Sequence, residues 1–318
     1  MDESEAIARL RRVATDPAAR GLLDDAAVFD GLVITHDSIA EGVHFLPFDS
    51  PASVGWKLVA VNLSDLAAKG ATPAAALLSL TLSGHSDWEA EFISGVESAC
   101  KEYGLALIGG DTIALPEGAP RVLGLTAIGR AGAKVPDRSG GKPGDGLWLV
   151  GNLGDSGAGL EQLRQDKSAV GPLVEAYRRP VPLLAAGQAL APHAHAMMDV
   201  SDGLLLDAKR MAEASGCSAI IDLDSLPLSN AFIAVRGDDR EARLSAVTGG
   251  DDYALLAALP DDFSTLCLPS GTTVARLGRL AAGVGSLQLV SGGKPIALPE
   301  TLGHEHRGNS ASPMADRT

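Results

Sequence analysis

The chain has 318 residues, of which 46% are hydrophobic, and carries a formal net charge of -14 at neutral pH. This hydrophobic content is enough for a large buried core, and the length favours two domains over one. The negative charge disfavours direct binding of nucleic acids or polyphosphates, so a phosphate ligand would need cations between itself and the protein.

The sequence predicts neither a membrane segment nor a disulfide framework. Apolar runs such as 58–63 are far shorter than the roughly 20 residues that span a bilayer. The first residues, MDESEAIARLRRVA, lack the apolar core of a signal peptide, so we expect a cytoplasmic protein. Cys100, Cys217 and Cys267 are odd in number and far apart, which indicates small hydrophobic side chains and argues against a zinc site.

In the first half of the chain, the apolar spacing alternates between helical and strand periods. Helices are predicted over 4–14, 51–69 and 86–103. Strands are predicted over 33–37, 74–82, 106–110 and 121–131. This half therefore mixes strands and helices.

A segment rich in Gly and Pro, RSGGKPGDG at 138–146, predicts a linker between domains. We therefore predict an N-terminal domain over 1–137 and a C-terminal domain over 138–303. The polar tail 304–318 has no hydrophobic period and is predicted to be disordered. In the C-terminal domain, the turn GNLGDSGAGL precedes one predicted helix, and Ser201 or Asp202 is expected to cap another.

The informative residues are aspartates beside Gly, Ser, Thr or Asn where a strand or helix ends. Mg²⁺ prefers hard oxygen ligands and often bridges a few carboxylates to substrate phosphates, so dispersed aspartates on short turns suit it. Each aspartate alone also fits a turn former or a helix cap, so the prediction depends on the whole set. The set is Asp24, Asp25, Asp37, Asp65, Asp111, Asp199, Asp202, Asp251 and Asp252.

Several other features favour a phosphate ligand but have a plain alternative. Asn62 and Asp65 share one helix face, either directed at a site or forming a solvated polar stripe. The glycines of GNLGDSGAGL either expose helix-start amides to an anion or form a tight turn, and the segment matches neither GxGxxG nor the P-loop. Arg138 offers forked donors for phosphate or is a solvated linker residue. In LIGGDT, two glycines before Asp111 would let the backbone approach a phosphate.

Taken in order, eight segments resemble the motif series of thiamine-monophosphate kinases. They are DDAAVF, THDSIAEGVHF, NLSDLAAKGA, YGLALIGGDT, RSGGKPGD, GDSGAGL, MDVSDGL and TGGDDYAL. The resemblance implies the two-domain fold of aminoimidazole ribonucleotide synthetase, of mixed α+β and α/β class. Its N-terminal mixed sheet and helices would form a homodimer interface, and its C-terminal domain would be α/β. It also implies Mg²⁺-assisted phosphorylation of thiamine monophosphate to thiamine diphosphate by ATP.

Matching positions in the family motifs imply three groups of site residues. The implied metal ligands are Asp25, Thr35, Asp37, Asp65, Asp111, Asp199 and Asp202. The implied ATP contacts are Tyr103, Gly110, Asp111, Arg138 and Ser201. His44 and Asp251 are the implied contacts to thiamine monophosphate. The acceptor is already an ionised phosphate oxygen, so we expect neither a catalytic nucleophile nor a general base.

The sequence departs from the family pattern at several positions. GLLDD replaces GIGDD, His36 replaces a threonine, and Asp251 replaces a glutamate. An aromatic residue that the family uses against the thiamine rings is not evident at 301–304, where His304 is a candidate substitute. Two alternatives therefore stay open: another ATP-dependent enzyme of the superfamily, such as aminoimidazole ribonucleotide synthetase, and a nucleotide-binding relative without catalysis.

Overall fold

The structure is a computed structural model that describes residues 3–263 and 268–304. These residues form a five-stranded and a seven-stranded sheet, each with its own helices. The expected two-domain fold is confirmed, while the boundary between residues 137 and 138 stays a prediction. Cys267 and the predicted tail beyond His304 lie outside the described residues.

Helices and strands are numbered in chain order. The helices are α1 (Glu3–Leu10), α2 (Pro51–Ala68), α3 (Ser86–Tyr103), α4 (Asp155–Gln165), α5 (Pro172–Arg178), α6 (Leu184–Leu190), α7 (Leu204–Ala214), α8 (Asn230–Arg236) and α9 (Arg240–Thr248). The strands are β1 (Ala27–Phe29), β2 (Leu32–Ala40), β3 (Thr72–Leu82), β4 (Ala106–Ala114), β5 (Val122–Arg130), β6 (Gly146–Val150), β7 (Ala196–Val200), β8 (Cys217–Asp222), β9 (Ala254–Leu259), β10 (Val274–Ala282), β11 (Leu287–Ser291) and β12 (Lys294–Ile296).

The N-terminal sheet has the order β1-β2-β5-β3-β4, with β3 and β4 parallel and the other pairs antiparallel. Helices α2 and α3 pack together through two glycines. A Cβ on Gly55 would lie 2.2 Å from the Phe92 carbonyl oxygen, and one on Gly95 would lie 2.0 Å from that of Ala52. Only glycine permits so close a contact between the helix backbones. Strand β4 forms the other edge of the sheet and is exposed along its whole length.

The C-terminal sheet has the order β12-β11-β8-β10-β6-β9-β7 and is covered on both faces. On β9, Leu256 packs with α7 and α9 in one cluster, whereas Leu255 and Leu259 pack with α6 on the opposite face. Ala67 and Ala68 of α2 belong to that second cluster. Because both faces are buried, β9 is apolar throughout. Helix α2 is therefore shared between the two domains.

Most predicted elements are confirmed, with two differences. Helix α1 ends at Leu10, four residues before its predicted end at residue 14. The predicted cap of α7 is wrong: its N-cap is Gly203, which makes no side-chain cap bond. Instead, the backbone N–H of Asp202 donates to Asp207 inside the helix at 3.1 Å. Among the described helices, none is long and apolar enough to cross a membrane.

Candidate active site

A cavity of about 570 Å³ opens between the two domains, where β2 and α2 face the end of β7. Most of the predicted site residues line it. They are Asp25, Asp37, His44, Asp65, Arg138, Asp199, Ser201, Asp202 and Asp251. These side chains come from both halves of the sequence, so the fold gathers them into one site.

Helix α2 supplies the floor of this cavity. The Asn62 side chain accepts a hydrogen bond from the Asp37 N–H at 2.9 Å and donates to the Leu58 carbonyl at 2.9 Å. The Thr35 hydroxyl donates to Asp65, which lines the cavity, whereas Thr35 itself does not. Asn62 and Asp65 are both buried. The alternative of a solvated polar stripe is therefore wrong.

Two turns of the C-terminal domain form the opposite wall. The Asp251 N–H donates to the Ser201 carbonyl at 2.7 Å, which holds the turn after β7 against the segment before β9. A Cβ on Gly250 would lie 2.6 Å from the same Ser201 carbonyl oxygen. The glycine therefore lets Ser201, Asp202 and Asp251 face one cavity.

Three aspartates of the cavity are disfavoured as anions. Burial raises the pKa of Asp65 well above its usual value, and the charges of Asp37 and Asp199 raise it further. Burial likewise raises the pKa of Asp199 and of Asp37, and nearby carboxylates add to both shifts. Buried carboxylates that repel one another are relieved by a cation. This is the electrostatic environment expected of a divalent metal site.

Comparisons with known proteins identify the family of the chain. The model of the AIR synthase related protein N-terminal domain matches residues 23–131, and that of the C-terminal domain matches residues 142–288. The thiamine-monophosphate kinase of Caulobacter vibrioides is 38% identical over 301 residues, covering 89% of this chain and 85% of that protein. That of Escherichia coli K12 is 35% identical, covering 90% of this chain and 91% of that protein. The chain belongs to the thiamine-monophosphate kinase family.

Solved structures of this family share the fold. A structure described as AaThiL complexed with AMPPCP and TMP superposes with a TM-score of 0.82 at 30% identity, covering 95% of this chain and 97% of that one. The thiamine-monophosphate kinase of Stenotrophomonas maltophilia superposes with a TM-score of 0.72 at 35% identity, covering 92% and 96%. The likeness therefore extends over nearly the whole chain.

The kinase-family site contains a cationic cluster that sequence reasoning missed. Lys69 Nζ, which is completely buried, lies 2.5 Å from Asp24 and 2.8 Å from Asp25, and Arg138 lies 2.5 Å from Asp25. Burial opposes ionisation of Asp25, but Lys69 and Arg138 outweigh it and lower its pKa. Lys69 and Arg138 thus neutralise part of the charge of the adjacent Asp24 and Asp25. Lys69 looked like an ordinary basic residue at a helix end.

The oxygen donors of the cavity suit Mg²⁺. Asp37, Asp65 and Asp199 are the residues that would hold it, because they are the acidic groups whose pKa values the site raises. Within residues 3–263 and 268–304, no group of three acidic, His or Cys side chains is placed to hold a metal ion. Mg²⁺ usually takes one or two carboxylates, keeps several waters and binds substrate phosphates, so these aspartates would hold the ion only together with substrate. Asp202 differs, because Arg210 pairs with its carboxylate.

Three predicted ATP contacts do not line the cavity formed by the described part of one chain. Tyr103, Gly110 and Asp111 are absent from its lining among the described residues. The Tyr103 ring packs edge-on against Trp56 with 5.6 Å between centroids, and burial raises its pKa to about 12. Gly110 and Asp111 lie on the exposed strand β4. A Cβ on Gly110 would lie 1.9 Å from the Leu78 carbonyl oxygen, so the sheet itself requires this glycine.

Two N–H groups of the glycine-rich turn before α4 are hydrogen-bonded within the protein and do not face an open anion site. The Asp252 carboxylate accepts hydrogen bonds from the Gly154 N–H at 2.8 Å and the Ser156 N–H at 3.3 Å. The chain thus supplies its own carboxyl group to these helix-start amides, and burial raises the pKa of Asp252 to about 8. The Ser156 hydroxyl is buried, has no hydrogen-bond partner among the described residues, and belongs to a residue on the cavity lining. His304 also lies on that lining, and its role as the substitute for the family aromatic stays a prediction.

Proposed function

We propose that the protein transfers the γ-phosphoryl group of ATP to the phosphate of thiamine monophosphate, giving ADP and thiamine diphosphate. The chain belongs to this family, and one cavity in it gathers the buried aspartates, the Arg138 guanidinium, and His44 and Asp251, the two implied contacts to thiamine monophosphate. This is the observation that carries the proposal. The AaThiL complex with AMPPCP and TMP, a nucleotide analogue beside a second ligand, supports direct transfer between two bound substrates.

The reaction needs no covalent enzyme intermediate. An ionised oxygen of the acceptor phosphate bonds to the γ-phosphorus of ATP while the bond from that phosphorus to the β–γ bridging oxygen breaks. The departing ADP keeps that electron pair. Because the attacking oxygen carries no proton at neutral pH, the protein supplies positioning and charge neutralisation instead of a base.

The protein's own residues divide this work. Bound Mg²⁺ would neutralise the negative charge that gathers on the phosphate oxygens of the two substrates. Asp37, Asp65 and Asp199 would hold the metal. The Arg138 guanidinium, held at one end by Asp25, lies on the cavity lining and would offer its other N–H groups to a phosphate oxygen.

We further propose a homodimer in which β4 of one subunit completes the cleft of the other. Leu107, Ile108 and Ile113 of β4 are between 49% and 63% exposed, and Leu77 of β3 is 40% exposed. An exposed apolar sheet edge of this kind is typical of an interface between chains. In this arrangement Gly110 and Asp111 would reach the nucleotide of the partner subunit. We place the protein in the cytoplasm, where ATP is available.

The proposal is tested with the purified full-length protein, ATP, Mg²⁺ and thiamine monophosphate. We expect ADP and thiamine diphosphate to form in equal amounts, as measured by chromatography. Aminoimidazole ribonucleotide synthetase chemistry predicts no thiamine diphosphate, and a pure nucleotide-binding protein predicts no ADP. Either of those results contradicts the proposal.

A further inference from the structure

A second buried lysine of α2 contacts residues of the cavity lining. Lys57, on α2, is 2% exposed. Its ammonium donates to the His44 carbonyl oxygen at 3.0 Å and to the Asp251 carboxylate. The same nitrogen lies over the Tyr177 ring, 4.1 Å from its centroid. Lys57 therefore contacts both residues that the family assigns to the acceptor, although they come from different domains.

The Asp251 carboxylate is fixed at both oxygens. Lys57 binds Oδ2, and the Tyr253 hydroxyl donates to Oδ1 at 2.7 Å. Asp251 and Tyr253 have φ angles of 73° and 55°, which are uncommon for residues with a side chain. Such conformations persist where surrounding contacts hold them, and they cluster at functional sites. The side chain of Asp251 nevertheless remains 28% exposed toward the cavity.

His44 is fixed by its backbone and by its ring. The backbone N–H of Ala40 donates to His44 Nδ1 at 3.0 Å, so the ring proton is on Nε2. The backbone carbonyl of His44 accepts from Lys57. One ammonium thus sets the distance between the His44 segment and Asp251 across the cavity.

Resting on the proposed function, we propose that Lys57 is a positioning residue for the acceptor substrate, holding His44 and Asp251 at the spacing that thiamine monophosphate requires. A buried ion pair as a whole is often no more stabilising than a well-packed apolar pair of similar volume, so stability alone does not account for the pairing of Lys57 with Asp251. Asp251 is also one carbon shorter than the glutamate of the family motif. A shorter acid has less freedom to reach its ligand, which makes its exact placement depend more on its tethers.

The decisive variant is Lys57→Met, which keeps the length of the side chain and removes the charge. Binding of thiamine monophosphate and of a non-hydrolysable ATP analogue is measured separately by titration calorimetry with Mg²⁺ present. We expect the Kd for thiamine monophosphate to rise about tenfold, as for loss of a charge-assisted contact, with the Kd for the analogue changed less than about twofold. In the assay, the KM for the acceptor rises and the KM for ATP does not.

The matched control is Lys294→Met on β12, at the far edge of the C-terminal sheet, which should leave both Kd values unchanged. The proposal is overturned if Lys57→Met folds and its Kd for thiamine monophosphate rises less than about threefold. It is also overturned if the Kd values for thiamine monophosphate and the ATP analogue rise equally. If Lys57→Met does not fold, the two Kd values are compared in Tyr253→Phe, which removes the other hydrogen bond to Asp251 without changing charge. If both Kd values change equally in that variant, or neither changes, the proposal is also overturned.

The calorimetry separates this inference from the proposed function. Wild-type protein that binds thiamine monophosphate but forms no product refutes the kinase reaction, while a selective Lys57→Met effect still supports the role of Lys57. Wild-type protein that binds no thiamine monophosphate refutes both. Product formation with an unselective Lys57→Met effect refutes the role of Lys57 alone.

Discussion

Lys69 and Asp24 form a buried ion pair, with 2.5 Å between Nζ and Oδ1, that joins the end of α2 to the loop before β1. The same ammonium donates to the Met197 carbonyl on β7 at 2.9 Å. It therefore connects three segments from both domains directly behind the cavity. The Arg138 N–H, at the start of the C-terminal domain, also donates to Asp24 at 3.1 Å.

We expect Lys69→Met to lower the free energy of unfolding by about 3–5 kcal/mol, because two buried carboxylates lose a cation that neutralises them. Urea denaturation followed by circular dichroism measures the change. Lys294→Met, an exposed lysine on β12, should change the free energy by less than about 0.5 kcal/mol. Equal stability of Lys69→Met and wild type would show that the ion pair is not needed for folding.

The acidic cavity predicts a dependence of stability on pH in metal-free protein. Burial and neighbouring carboxylates raise the folded-state pKa of Asp65, so its protonated form stabilises the fold. That contribution is complete below the pKa of the unfolded chain and is lost as pH rises through the folded-state pKa, by up to ~1.4 kcal/mol per pH unit. We therefore expect the free energy of unfolding in EDTA to fall between pH 5 and pH 8.

Asp65→Asn isolates this effect, because it keeps the shape and removes the charge. The variant should lose less stability than wild type between pH 5 and pH 8 in EDTA, as measured by urea denaturation. Mg²⁺ with the ATP analogue should restore wild-type stability at pH 8 and stabilise Asp65→Asn less. Identical pH slopes for the two proteins would argue against Asp65 as a buried, raised-pKa carboxylate.

The hydrogen bonds from the start of α4 to Asp252 lead to a separate prediction about stability. Asp252→Ala removes the acceptor for two helix-start N–H groups and should cost about 1–2 kcal/mol of stability, as other helix caps do. Because Ser156, whose N–H donates to Asp252, also lines the cavity, ligand binding should weaken as well. Asp239→Ala, which removes the cap of α9, should cost similar stability and leave the Kd values unchanged. Unchanged ligand binding by Asp252→Ala would limit its role to folding.

Much of the fold and part of the site follow from local sequence pattern. Helix α3 occupies the predicted range, and most of the predicted aspartates meet in one cavity, although Asp37 and Asp199 lie within β2 and β7 and not after them. The face shared by Asn62 and Asp65 could be recognised from their spacing alone. Such positions are predictable because the helical or strand period fixes which side a residue faces.

The cationic residues of the site could not be predicted in this way. Lys57 and Lys69 are buried although lysine is rarely buried, and their carboxylate partners are distant in sequence. The pairing of Asp252 with the turn at Gly154 likewise depends on how the strands are ordered in the C-terminal sheet. Partners set by tertiary contacts leave no periodic signal in the sequence.

The exposed position of Asp111 predicts that its role depends on a second subunit. If Asp111 completes the cleft of the partner, Asp111→Ala and Asp65→Ala should each abolish turnover when assayed alone. Mixing the two variants under subunit-exchange conditions should restore activity, because a heterodimer then has one cleft with Asp65 from its own chain and Asp111 from the partner. A random equal mixture should reach about a quarter of the wild-type rate, since about half of the dimers are heterodimers and each has one intact cleft.

Light scattering of each variant is the control that dimers form. If Asp111 instead serves its own cleft, every cleft in the mixture lacks one aspartate and no activity returns, which would contradict the shared site.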